Sequence, residues 1–148
     1  MKKDTILNLM ISHHALLSAL FVLFRDEAKE KSQGADSSLF ELTWETKKHF
    51  FVEENAIFNL PQIKEMKVFN IIKQLESEHV IALEYLKKFH ESFPEINEEE
   101  MEKFVSLMQG HSKMEEEELY PRLDEELKEE QKKQIIDQIN EVPVKSNK

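Results

Sequence analysis

The sequence predicts an all-α protein, an up-and-down four-helix bundle with a short C-terminal helix. Three observations predict it. Only 2 of the 148 residues are Gly and 4 are Pro, too few breakers for an all-β fold or a Gly-rich phosphate loop. Apolar content of 40% beside charged content of 34% suits long amphipathic helices. Apolar residues recur at helical spacing along four long segments joined by short links. The length suits one domain over residues 1–148, with the bundle over about 4–123.

The first helix is expected from Asp4 to about Lys31. At about 100° per residue, Ile6, Leu9, Leu16, Leu20, Leu23 and Phe24 gather on one face. Residues 32–38, with three Ser and one Gly, read as a loop. Ser38 followed by Glu41 reads as a capping box opening a second helix, which runs to about Leu60 and stops at Pro61. A third runs from Gln62 or Ile63 to about Glu91, its apolar face formed by Val68, Ile72, Leu75, Leu83 and Leu86. The fourth starts near Asn97, with Glu98, Glu99 and Glu100 at its positive end, and reaches Tyr120 before Pro121. A tail helix covers roughly 125–141, and residues 142–148 read as frayed.

Charge and composition exclude several functions. Twenty basic against thirty acidic residues leave a net charge of −10, which supplies no patch for nucleic acid or an anionic membrane. The absence of cysteine removes disulfides, thiolate zinc sites, iron–sulfur clusters and cysteine nucleophiles. Lys2, Lys3 and the apolar run 15–24 look superficially like a leader. The polar residues between them, and Arg25-Asp26 directly after, argue for a helix of the fold and a cytoplasmic protein.

An internal repeat carries the chemistry. The second helix holds His49-Phe-Phe-Val-Glu53-Glu54, then Ile57-Phe58 and Pro61. The fourth holds His111-Ser-Lys-Met-Glu115-Glu116, then Leu119-Tyr120-Pro121. A His with Glu at i+4 places an imidazole and a carboxylate on one face, one turn apart. In a glutamate-rich chain such pairs also arise by chance, and any single histidine here reads most simply as a satisfied core residue. The convergence is the telling feature. His13 falls among Leu9, Leu16, Leu17 and Leu20, His79 among Ile72, Leu75, Leu83 and Leu86, His49 with Leu42, Ala56 and Leu60, and His111 with Leu107. All four helices aim a histidine inward, and two add a carboxylate. An unpaired buried carboxylate costs several kcal/mol and an unsatisfied imidazole roughly 1–3 kcal/mol. Together these would unfold a domain stable by about 5–15 kcal/mol. Metal binding resolves the conflict, because cations neutralise the carboxylates and take the ring nitrogens as ligands.

Other features read as structural. Glutamates after Glu115 in the 115–118 run, and Phe and Met at helical spacing, are expected to be solvated charge and core respectively. Gly110 suggests space beside His111 or close helix packing. His90 is expected to be exposed. Trp44, Tyr85 and Tyr120 fall away from the ligand face. A ferritin-like site needs Glu-x-x-His on two helices, and only Glu76 with His79 has that spacing.

The set His13, His49 with Glu53, His79, and His111 with Glu115, in that order, resembles the hemerythrin-like (HHE cation-binding) family. The resemblance implies two iron ions, a non-haem di-iron centre with an oxo or hydroxo bridge. It implies that His13 and His49 serve one iron, His79 and His111 the other, and Glu53 and Glu115 bridge both. The oxygen carriers of the family have a fifth histidine one turn before the third-helix ligand, where this chain has Leu75. The resulting symmetric set is similar to the di-iron domain of repair-of-iron-centres proteins, although their usual cysteine-containing segment has no counterpart here. Glu45, one turn before His49, and Glu78, beside His79, are candidates for a supporting shell or access route.

The resemblance implies binding of O2, NO or peroxide for sensing, storage or protection. The alternatives are a redox enzyme that reduces NO or peroxide with an external electron donor, and an iron donor to an acceptor protein. A metal-free helical interaction module is the contrasting reading, and it predicts that the inward histidines tolerate Leu or Phe.

Overall fold

A computed structural model describes residues 5–61, 63 and 66–141. Helix α1 spans Ile6–Lys29, α2 Ala35–Val52, α3 Phe69–Ser92, α4 Glu98–Met114, α5 Tyr120–Glu126 and α6 Glu129–Glu141. Among the described residues there is no strand. Helix α1 packs on α2, α2 on α3, α3 on α4 and α4 back on α1, closing the four-helix bundle. Helices α5 and α6 fold back along α1. The third helix starts later than the expected Gln62 or Ile63: Ile63 lies before it, and α3 begins only at Phe69, with Val68 at its N-cap. The expected start at Asp4, Gln62 itself and the fraying of 142–148 lie outside the described residues.

The ends of the helices explain several boundaries. Thr5 Oγ1 accepts from Asn8 N at 3.0 Å, and the Asp124 carboxylate accepts from Ile6 N at 2.9 Å and Leu7 N at 3.1 Å. These bonds satisfy orphan donors at a positive helix end and tie α5 to α1. Asn97 caps α4 as expected, accepting from Glu100 N at 2.9 Å. The capping box at Ser38 does not form. Helix α2 begins earlier, at Ala35, and the buried Ser38 hydroxyl donates to Glu27 on α1 instead. A tertiary partner has taken the hydroxyl that a local cap would have used. Pro121 does not end the fourth segment either. It sits in the first turn of α5, where a missing N–H is harmless.

Both α2 and α4 continue through one widened turn, Glu53–Ile57 and Glu115–Leu119. There Phe58 N donates to Glu53 O at 2.7 Å, and Tyr120 N donates to Glu115 O, both five residues back. Such π-turns insert one residue into a helix and shift the phase of everything after it.

Helix α1 presents a different face from the one expected. Its buried residues are Ile6, Met10, His14, Leu17, Phe21 and Phe24, while Leu16 and Leu23 are exposed. The segment is apolar on nearly all sides, with a mean hydropathy of 1.8 over a stretch long enough to cross a membrane. Its own periodicity therefore chose poorly between two neighbouring stripes. Phe40 and Phe51 are also exposed, against the expectation that all the Phe residues are core. Gly110 faces open space, with no atom within 4 Å of an added Cβ, so neither reason proposed for it holds.

The core falls into two apolar layers. One gathers Ile6, Met10, Val52, Ala56, Ile72, Leu75, Leu119 and Leu123. The other gathers Phe21, Phe24, Leu39, Leu42, Leu86, Phe89, Phe104 and Met108. Along each of the four helices, the inward histidine lies in sequence between residues of the two layers. The polar cluster is thus a belt across the middle of the bundle, sealed above and below.

Candidate metal centre

Six side chains meet in the belt: His14 from α1, His49 from α2, His79 from α3, His111 from α4, and Glu53 and Glu115 from the two π-turns. Both carboxylates are 0% exposed and all four rings are buried. His14 Nε2 lies 3.0 Å from Glu115 Oε1, and His49 Nε2 lies 3.5 Å from Glu53 Oε2. His79 Nε2 is 3.0 Å from Glu53 Oε1 and 3.2 Å from His111 Nε2, which in turn is 3.2 Å from Glu115 Oε2. The atoms form two groups, His14, His49, Glu53 and Glu115, and Glu53, His79, His111 and Glu115, each with ligand atoms within 4.8 Å of one another. Both carboxylates belong to both groups.

The backs of the rings fix which nitrogen faces inward. His14 Nδ1 donates to Glu116 Oε2 at 2.6 Å, His79 Nδ1 to Glu54 Oε2 at 2.7 Å, and His111 Nδ1 to Glu78 Oε1 at 2.8 Å. A ring that donates from Nδ1 presents a lone pair at Nε2, the tautomer a metal ligand needs. Phe50 stacks on His79 with centroids 3.7 Å apart and rings 9° from parallel, which holds that ring in place.

The donor set fits metal ions. His14 Nε2, His49 Nε2 and both Glu115 oxygens are buried and make no hydrogen bond. The Nε2 atoms of His79 and His111 lie 3.2 Å apart beside the shared carboxylates, so a single cation could take both as ligands. The electrostatics agree. Burial acts to lower the His111 pKa, yet Glu115 and Glu53 hold it up at about 11. Burial acts to raise that of Glu53, but the facing His49 and hydrogen bonds from its neighbours keep it well below the carboxylate range. Without metal the cluster retains protons to balance its carboxylates, and a metal ion would displace them.

Five of the six sequence-predicted ligands, His49, Glu53, His79, His111 and Glu115, are brought together. The sixth is corrected: His14 holds the place expected of His13, because α1 turns its other stripe inward. His13 is half-buried and lines a cavity of about 230 Å³ with Leu16, Glu45, Lys48 and His49, and with Ile139 and Asn140 of α6. Burial, followed by the nearby His49, Lys48 and His14, lowers its pKa to about 4. Glu45 pairs with Lys48 at 3.2 Å in that cavity wall, and Glu78 backs His111.

Three contributors escaped the sequence reading. Glu54 and Glu116 support His79 and His14, where Glu116 was expected to be solvated; their signal was the second glutamate of each repeat. Tyr120 is fully buried and its hydroxyl donates to Glu53. In an uninterrupted helix Tyr120 stands about 140° from Glu115. The π-turn reduces this to about 40° by adding a residue to the turn. Burial, then the charges of Glu115 and Glu53, push the Tyr120 pKa well up, so it remains a donor. Tyr120→Phe is expected to cost the metal-free protein about 1.5–3 kcal/mol, the worth of a hydrogen bond to a charged group. Urea unfolding checks this, and an unchanged midpoint would remove Tyr120 from the account.

A family model for the hemerythrin HHE cation binding domain matches residues 5–123, from the start of α1 into α5. No curated protein and no solved structure matches the chain.

Proposed function

The chain belongs to the hemerythrin HHE cation-binding family, and from that premise we propose a non-haem di-iron protein that takes up O2, NO or peroxide for sensing, storage or stress protection. One observation carries the reading: two buried carboxylates shared between two pairs of inward ring nitrogens. Shared carboxylates suit a pair of oxygen- and nitrogen-liking metal ions better than a single tetrahedral zinc. A pair of irons would supply reversible ligand binding or one-electron chemistry. The chain's own residues do the rest. Glu54, Glu78 and Glu116 fix ring tautomers and raise ligand basicity. The Tyr120 hydroxyl supplies a proton donor at Glu53 inside a dry belt. Phe50, Phe58 and Leu75 give apolar walls that keep bulk water from the centre.

The redox-enzyme alternative is favoured by Leu75, which is fully buried one turn before His79 and offers no further ligand. Elemental analysis of protein purified without a metal-affinity tag is expected to find two irons per chain. The reduced, iron-loaded protein is then exposed separately to O2, NO and peroxide while its visible spectrum is followed. A change that reverses on removing the ligand supports binding. Consumption of many equivalents with an added reductant supports the enzyme. No change with any of the three would sink both.

A further inference from the structure

The two halves of the centre are related by the internal repeat. His14 corresponds to His79, His49 to His111, and Glu54 to Glu116. Each half should then back both of its rings in the same way, and one half does not. On α3 the residue before the ligand is Glu78, whose carboxylate accepts from His111 Nδ1 at 2.8 Å. On α1 the residue before the ligand is His13, whose ring centroid lies 6.0 Å from that of His49. His49 Nδ1 is buried and has no hydrogen-bond partner. Glu45, the nearby carboxylate on the same helix, is engaged by Lys48 at 3.2 Å. So three of the four rings are backed by a carboxylate and His49 alone is not.

We propose that His13, standing where the other half has Glu78, makes the two metal positions unequal, the one served by His14 and His49 binding its ion more weakly. The inference rests on the two-metal reading above. The physical reason is that a carboxylate behind a ligating imidazole raises its basicity and holds its orientation, and loss of such a partner costs about 10–100-fold in metal affinity. The weaker position also adjoins the cavity lined by His13, Glu45 and Lys48, with His49 itself in the cavity wall. His13 acts here as a positioning residue, through what it fails to offer His49.

The test is titration of the metal-free full-length protein with Co(II) against a chelating indicator, following the visible Co(II) absorption. Wild type is expected to fill in two steps separated by about 10–100-fold in affinity. His49→Ala is expected to remove the weaker step and leave the tighter, and His79→Ala to remove the tighter. His13→Glu supplies the missing carboxylate and is expected to tighten the weaker step by about tenfold or more, with the tighter step unmoved. Leu16→Glu adds the same charge to the same cavity wall from an exposed position, and is expected to leave both steps in place. Coincident steps in wild type overturn the inference alone, as does loss of the tighter step in His49→Ala or equal tightening by Leu16→Glu. No Co(II) uptake by wild type overturns the inference together with the metal-centre reading.

Discussion

Glu53→Gln is expected to reduce metal content from two ions per chain to one or none. Glu53 belongs to both ligand groups, faces the Nε2 atoms of His49, His79 and His111 at 3.5, 3.0 and 3.7 Å, and accepts from Tyr120. An amide of the same shape keeps the volume and loses the charge that two cations would share. The loss should exceed the roughly 10–100-fold that follows removal of a supporting partner. Glu54→Gln, behind His79, provides that smaller effect as an internal scale. The metal-free Glu53→Gln protein should also be less stable by about 3–5 kcal/mol, since truncating one side of a buried ion cluster strands the other. Elemental analysis and urea unfolding read the two effects separately. Wild-type metal content in Glu53→Gln would remove the shared carboxylate from the argument.

Stripping the metal is expected to lower the melting temperature by about 8–16 °C per ion at neutral pH. One ion present at 1,000 times its dissociation constant stabilises by about 4 kcal/mol, and each kcal/mol moves a chain of this size by about 2–4 °C. The difference should widen as pH rises. In the metal-free protein the His111 pKa is raised from 6.5 to about 11, so its contribution is complete below about 6.5 and lost as pH climbs toward 11. Glu53, held low, contributes above the ordinary carboxylate range and loses that contribution on acidification. His13, lowered from 6.5 to about 4, adds to the loss as pH falls through that window. Metal binding runs the other way on the alkaline side, because deprotonated rings bind more tightly. Calorimetry of loaded and stripped protein at pH 6, 7.5 and 9 checks the trend. A constant or shrinking difference would contradict it.

The legible part of the site was the part with local signals. His49-x-x-x-Glu53 and His111-x-x-x-Glu115 lie on single helices, where spacing alone sets a shared face. Their repetition, with the aliphatic-aromatic pair and proline following, marked both carboxylates before any helix was placed beside another. His79 stood out because its helix has one clear apolar stripe.

On α1 the same method chose wrongly by one residue. Two adjacent stripes, one through His13 and one through His14, are almost equally apolar, and a single helix carries no information about which neighbour it will meet. Packing decides that. His14 faces inward because Ile6 and Met10 on one side and Phe21 and Phe24 on the other fill the two apolar layers around the belt. Tyr120 was lost for a different reason: the π-turns change the helical phase in mid-segment, and residue counting assumes a constant one.

The all-α class, the four-helix bundle, the repeat and five of the six side chains of the buried cluster were legible before any packing was known, because each follows from periodicity or spacing within a helix. Which face of α1 is buried, that Tyr120 reaches Glu53, and that His49 lacks the carboxylate its counterpart has came from the packed fold. Those three depend on how one helix is rotated against the next, and that rotation is set by close packing across the whole core.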